Sequence, residues 1–162
     1  VRPLGQRLEL TAGLRLERLE YDYDNRMLDG NTDQNGVACG FGGCLYARPA
    51  DREDAFTNAG PRLSLAWRVD PASTAWLGLS RGFRPPEATE LYRLQRGQDV
   101  ADLESERIDG LELGYRRLGE RLSLELTGFW MDKDEVILRD ALGFNVSGGR
   151  TRHRGLEYAF DW

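Results

Sequence analysis

The side chains able to do chemistry are few and scattered. Two cysteines, Cys39 and Cys44, bracket Gly40-Phe41-Gly42-Gly43. The three glycines let the backbone turn tightly, so a local disulfide is sterically easy. A pair of free thiols and a metal site are the alternatives, and a metal would need further Cys or His partners. The single histidine, His153, lies far off in sequence between Arg152 and Arg154. A disulfide implies an oxidising compartment. Asp132, Asp134 and Glu135 cluster, and a solvated strand end accounts for them more simply than a metal. Ser64, Ser80 and Ser123 lack a His-Asp pairing, because His153 is the only histidine. The Gly148-Gly149 pair lacks the strand-to-helix setting of a phosphate loop. No catalytic constellation emerges, so the chain is expected not to be an enzyme and to carry no cofactor or metal.

Composition narrows the remaining classes. The chain has 162 residues and a net charge of −5, with a pI near 5.0. Nucleic-acid binding, which needs a basic patch, is disfavoured. Mean hydropathy is −0.56, and no run approaches the roughly 18 apolar residues of a transmembrane helix. A membrane β-barrel stays open, because only every second residue of its strands meets lipid. The chain opens with Val1 and shows no signal peptide, so it is read as an excerpt of one domain, cut at both ends.

Period-2 alternation places the elements. Over residues 7–17, Leu8, Leu10, Ala12, Leu14 and Leu16 share one face, and Glu9, Thr11, Gly13, Arg15 and Glu17 share the other. That is a strand with one apolar and one polar side. After Arg18 the phase of apolar residues changes to Leu19, Tyr21 and Tyr23, through a bulge or because the strand has left the membrane. Residues 24–54 form a long aperiodic loop. A second strand covers residues 56–69, with Pro61 marking a bulge or a strand edge. Asp70-Pro71-Ala72-Ser73 turns the chain, and residues 74–83 return. Pro85 and Pro86 stop that strand and can start a short helix through Leu94. A fourth strand spans 104–118 and a fifth 121–131. If Gly119-Glu120 is a two-residue hairpin loop, Tyr115 faces Leu124 and Leu113 faces Leu126. Residues 132–135 lead out, residues 139–143 turn, and a sixth strand runs to the end.

The reading is therefore all-β: an antiparallel up-and-down meander of about six long strands, an incomplete segment of a large transmembrane β-barrel spanning residues 1–162. The strands run about 10–15 residues, against a soluble mode near 5–6, and membrane strands need about 9–11. The connections 70–73 and 119–120 are short and share one end, whereas 24–54 and 85–103 are long and share the other, as in outer-membrane barrels. Trp67, Tyr115 and Trp162 lie on the apolar face near the short-turn end and Trp130 near the far end, as interfacial girdles do. The polar face carries Arg15, Glu17, Arg62, Arg68, Glu112, Arg116, Glu125 and Glu157. Six strands cannot close, and open edges invite aggregation, so the segment is expected not to fold alone.

One motif orders the whole chain. Gly82-Phe83-Arg84-Pro85-Pro86 runs on to Glu90-Leu91-Tyr92, and Leu103-Glu104-Ser105-Glu106 then opens a strand reaching Glu112-Leu113-Gly114-Tyr115. This pairing resembles the barrel of TonB-dependent outer-membrane receptors, in which "GFR-x-P…ELY" precedes "L-x-x-E…E-L-G". Residues 145–157 (NVSGGRTRHRGLE) are similar to that family's "N-x-G-x…G-x-E". The resemblance implies a receptor and transporter for a scarce nutrient, most often a ferric siderophore, in the outer membrane of a Gram-negative bacterium. It implies a lumen holding a separate plug domain, with the TonB complex acting on that absent plug. Outer loops meet the ligand in that family, and here Tyr92, Arg93 and Arg96 are the candidates, arginine suiting an iron chelate of anionic character. Outer-membrane lipid surrounds such a barrel. The basic run from Arg150 to Arg154 and the Cys39–Cys44 loop belong to no family pattern; from its charge alone, the run is expected to meet lipopolysaccharide phosphates near the outer rim. Two other readings stay open: a plug-free porin or adhesin barrel, and a soluble β-sandwich binding module.

Overall fold

The alternation is realised as one curved meander in a computed structural model of the protein, which describes residues 2–3, 5–26, 37 and 46–162. A two-residue strand, β1 (Arg2–Pro3), lies against β2 (Leu8–Tyr23). The small β3 (Tyr46–Ala47) precedes β4 (Arg52–Asp70), β5 (Ser73–Arg84) and a short helix, α1 (Ala88–Tyr92). Then come β6 (Leu94–Gln95), β7 (Glu106–Arg117), β8 (Ser123–Arg139) and β9 (Asn145–Asp161). The sheet order is β1-β2-β4-β5-β7-β8-β9, with β3 and β6 forming a separate two-stranded sheet. Each long strand pairs antiparallel with the next long strand in the chain.

Register aligns the apolar positions into rows. Leu10 pairs with Leu65, Leu65 with Leu77, Leu77 with Leu113, Leu113 with Gly128, and Gly128 with Leu156. The neighbouring rows are Leu8, Trp67, Ala75, Tyr115, Leu126, Tyr158 on one side and Ala12, Leu63, Leu79, Leu111, Trp130 on the other. These side chains lie bare: Leu16 is 71% exposed, Leu156 68% and Leu113 62%. Among the described residues, the buried apolar cluster is elsewhere, formed by Leu91, Tyr92, Leu94, Ala101 and Leu103 of the connection between β5 and β7. A soluble sandwich does the reverse and packs its sheet faces together.

The apolar band crosses the strands obliquely. On β2 it extends to Leu16 before Arg18; on β5, β7 and β8 it stops at Leu79, Leu111 and Trp130; on β9 it stops at Leu156, beside Arg154. From β2 to β9 its upper border drops by three rows, or six residues, over five interstrand steps. At about 3.3 Å per residue and about 4.8 Å per step, that slope is ~40°, the tilt that closure of a barrel imposes on strands.

Several local expectations are corrected, while the strand-edge alternative for Pro61 matches the end of its pairing to β5. The register of β2 with β4 is continuous from Leu8 to Tyr23, so no bulge follows Arg18. The strand keeps its phase while the apolar residues change sides: Leu19, Tyr21 and Tyr23 occupy the inner face, where Tyr21 and Tyr23 pack against the buried cluster. The β7–β8 hairpin pairs Tyr115 with Leu126 and Leu113 with Gly128, and its last pair is Arg117 with Leu124. Its loop is thus longer than Gly119-Glu120. The two-residue difference leaves every side chain on its expected face, because the side-chain period is also two. Pro61 sits where pairing to β5 ends, next to Arg62–Ser80, while the Leu14–Pro61 pairing to β2 is intact. The irregularity in β4 falls between Arg68 and Asp70, at the turn. Residues 132–135 stay in β8, where the register to β9 shifts between Lys133 and Val136 and Glu135 takes a φ of 54°.

On the inner face, large rings lie over opposing glycines. Trp76 pairs with Gly114 and Phe129 with Gly155. A Cβ on Gly114 would stand 2.0 Å from Trp76 Cζ2, and the Trp76 indole donates to Glu112 Oε1 at 2.7 Å. In the full-length protein, Gly114→Leu is expected to cost about 1–3 kcal/mol through overpacking, seen as a smaller heat-modifiable fraction on gels. Adding Trp76→Ala should restore it; no loss in the single variant would mean that the ring is free to move.

Candidate functional site

The site begins where the wall leaves the apolar band. β5 carries Arg84 inward at its end, and Pro85-Pro86 stops the strand there because neither residue has an N–H to offer a ladder. α1 follows at once. Its Glu90 carboxylate turns back to the Glu87 amide at 2.7 Å, closing the helix start, and also receives Arg84 through both terminal guanidinium nitrogens at 3.0 and 3.1 Å. The Arg84 Nε donates to Glu106 Oε2 at 2.8 Å. Lys133 of β8 reaches the same oxygen at 2.9 Å, and the Ile137 amide donates to Glu106 Oε1 at 3.0 Å. The Glu106 side chain is 5% exposed. Arg84, then Lys133 and the Ile137 amide, hold its carboxyl down to about 2 against desolvation. The same carboxylates raise the Arg84 pKa. The "GFR-x-P…ELY" and "L-x-x-E" residues are therefore one object: a charge cluster tying α1 to β5, β7 and β8.

The connection between β5 and β7, with α1 and β6, forms a cap over this end of the wall, and aromatic packing fixes its other side. Tyr92 stacks on Tyr23 with centroids 4.2 Å apart and meets Tyr21 edge-on at 5.9 Å. Its hydroxyl donates to Asp54 Oδ2 at 2.8 Å, and the Tyr21 hydroxyl donates to the Pro86 carbonyl at 3.0 Å. The third motif closes the arrangement. Asn145 Nδ2 donates to the Glu90 carbonyl at 2.8 Å, while the Asn145 backbone exchanges two hydrogen bonds with the Gln98 side chain, at 2.8 and 2.9 Å. Ser147 Oγ accepts from the Glu104 amide at 2.8 Å.

This geometry sorts the candidates. Tyr92, expected to face a ligand, is 6% exposed and held by Asp54 and the tyrosine stack, so it is a packing residue of the cap; burial and the Asp54 bond raise its pKa. Arg93 and Arg96 are exposed on the surface of the cap. Arg93 lines a depression with Thr89, Leu138, Arg139 and Asn145. Arg139 has no motif signal in sequence and joins Arg93 only because the turn between β8 and β9 folds beside α1. Tyr23, Asp54, Gln98 and Lys133 were likewise illegible as partners, since each acts across a long sequence gap. Cys39 and Cys44 lie outside the described residues. Trp67, Trp130 and Trp162 are exposed on the outer face. Tyr115, in the row with Trp67, donates its hydroxyl to Ser73 Oγ at 3.1 Å. Among the described residues no group of three or more His, Cys, Asp or Glu side chains is placed to hold a metal.

Known proteins agree with this architecture. The family model described as "TonB dependent receptor-like, beta-barrel" matches residues 2–162. The ferric aerobactin receptor of Klebsiella pneumoniae is 26% identical over 94% of this chain, which spans 23% of that receptor. The copper transporter OprC superposes with a TM-score of 0.71 at 21% identity, over 96% of this chain and 24% of that one. The ferric-catecholate import receptor Fiu from E. coli K12 follows with a TM-score of 0.66 at 17% identity, over 97% and 23%. The chain thus spans about a quarter of the length of these relatives, which are named as receptors or transporters.

Proposed function

The chain belongs to the TonB-dependent receptor-like β-barrel family, and from that premise we propose that it forms part of the wall of an outer-membrane, TonB-energised receptor importing a scarce nutrient, a ferric siderophore first among them. The observation that carries the reading is the inverted burial: a bare apolar band on a sheet whose strands cross it at a barrel's tilt, beneath a cap that holds the buried apolar cluster. The band is the lipid-facing surface, with Tyr115 at its lower border, before Arg117, and Trp130 at its upper border, before Asp132. Trp67 and Trp162 belong to the lower girdle. The inner face, with Arg62, Glu112 and Trp76 lining one concavity, would contact a plug, through which the TonB complex would act. Lipopolysaccharide would surround the outer half of the wall. Arg93 and Arg96 stand on the exposed side of the cap, where an anionic iron chelate would arrive. The kinship with a ferric aerobactin receptor makes ferric aerobactin the first ligand to try.

The test uses the full-length gene product in iron-starved Gram-negative cells that lack other ferric aerobactin receptors. Uptake of radioactive iron as ferric aerobactin should require the gene and an intact TonB system. Uptake that persists without TonB would point to a passive porin. Failure of ferric aerobactin alongside uptake of another iron or copper complex would move the substrate but keep the receptor. Material recovered soluble, without detergent and without a heat shift on gels, would overturn the membrane assignment.

A further inference from the structure

The chain is acidic overall, yet the outer face just above the apolar band is not. Two rows of side chains border the band there. Arg81, Asp109, Asp132 and Arg152 form the first, with Arg81–Asp109 and Arg152–Asp132 both at 2.6 Å. Arg107, Asp134 and Arg150 form the next, with Asp134 held by Arg107 at 3.1 Å and Arg150 at 2.8 Å. Arg154 lies one row lower on β9, opposite Trp130. The guanidinium carbons of Arg152 and Arg154 stand 4.9 and 5.7 Å from the centre of the Trp130 ring. Five arginines thus share this strip with three aspartates, inside a chain whose net charge is −5. Along β9 the arginines stand further out than their partners: the Arg150 side chain is 83% exposed against 19% for Asp134, and Arg152 61% against 40% for Asp132. At β9 the surface presented outward is therefore mainly guanidinium, edged below by the Trp130 indole, while Asp109 and Arg81 share the far end about equally, at 40% and 43% exposed. A depression between β7, β8 and β9 is lined by Asp109, Asp132, Asp134, Arg150 and Arg152.

We propose that Arg150, Arg152 and Arg154 form a docking site for the phosphorylated headgroup of an outer-leaflet glycolipid, with Trp130 marking where its acyl chains begin. Three features favour this occupant. The arginines project on alternate residues of one strand, each roughly 7 Å from the next, a spacing suited to a headgroup with more than one phosphate. Guanidinium groups bind phosphate oxygens in a fixed fork, and they are weakly hydrated enough to do so at a membrane border. The strip also continues the apolar band without a gap, so a lipid whose chains lie on Leu156 and Tyr158 brings its headgroup to these arginines. The inference rests on the lipid-facing reading of the band and not on the identity of any imported nutrient.

The test is lipid binding by the full-length receptor in neutral detergent, with native mass spectrometry as the readout and bis-phosphorylated lipid A as the probe. Arg150→Gln, remote from the cap, is expected to weaken binding about fivefold, and Arg150→Ala/Arg152→Ala/Arg154→Ala roughly a hundredfold. A heat shift on gels shows that each variant is folded. Lipid A lacking one phosphate should bind more weakly to the wild type and lose the difference in the triple variant. Unchanged binding by the folded triple variant would overturn the site. Equal displacement by millimolar inorganic phosphate would also overturn it, revealing a general anion patch. Ferric aerobactin uptake failing while lipid A binding holds would sink the substrate reading alone.

Discussion

Leu113→Arg in the full-length protein is expected to lower the stability of the barrel in lipid by about 2–4 kcal/mol. Leu113 sits in the central apolar row, with Leu77 on one side and Gly128 on the other, and its side chain is 62% exposed. In water, an exposed leucine on a sheet tolerates arginine within about 0.5 kcal/mol. In hydrocarbon the guanidinium has no partner and must drag water or headgroups toward it. The same substitution one position back, Glu112→Arg, turns inward and should cost far less, losing the Trp76 bond at 2.7 Å. Urea titration of the two variants in phospholipid vesicles, followed by the folded fraction on unheated gels, separates the cases. Equal and small effects at both positions would mean that this face does not meet lipid.

Glu106→Leu carries the second large effect. The carboxylate is almost wholly buried and receives Arg84, Lys133 and the Ile137 amide. Removing one member of a buried ion pair typically costs 3–5 kcal/mol, because the partner charge is left behind. Arg84 and Lys133 each keep about a third of their side-chain surface in water, 39% and 32%, and Arg84 retains Glu90. That places the expected cost at the low end, about 3 kcal/mol. The loss should be local, read as faster amide exchange over residues 88–103 with the wall unchanged. The same cluster predicts a pH response. The folded-state pKa of Glu106 is depressed from 4.5 to about 2, so its contribution is whole above pH 4.5. It shrinks as pH falls through that window and is gone below about 2. Protection of residues 88–103, corrected for intrinsic exchange rates, should therefore decline between pH 5 and pH 2 in the wild type. Glu106→Leu should show a low and flatter profile, and a wild-type profile that is equally flat would remove the cluster as the holder of the cap.

Particular residues show where the sequence was legible. The alternation from Leu8 to Leu16 identified both faces of β2, because a strand's side chains point to opposite sides whatever it pairs with. Beyond Arg18 the same signal left two readings open, a bulge or a strand that has left the membrane. The continuous register removes the bulge, and Tyr21 and Tyr23 pack on the inner face against the buried cluster of the connection between β5 and β7. The hairpin after Arg117 was located correctly and registered two residues out. Alternation cannot detect a slip that equals its own period; only the complete ladder, with Arg117 opposite Leu124, decides it. Tyr92 is the residue at the site whose surroundings were least legible: it is 6% exposed, packed against Tyr23 and hydrogen-bonded to Asp54. An aromatic phenol in a polar loop looks ligand-facing until the loop folds back onto Tyr23 and Asp54.

The sequence by itself determined the strand periodicity, the face of each residue in the cleanly alternating stretches, the short and long ends of the meander, and the family motifs. These are local properties, set by backbone pleat, by Pro and Gly stereochemistry, and by the side-chain order along one strand. Only the tertiary structure decided the register, the oblique course of the apolar band, the assembly of Arg84, Glu90, Glu106 and Lys133 into one cluster, and the arginine strip beside Trp130. Each joins residues from different strands. Such pairings depend on which lateral neighbours the chain accepts and how far each strand slides along the next, and an energy that depends on sliding leaves no mark in the spacing of residues along a single strand.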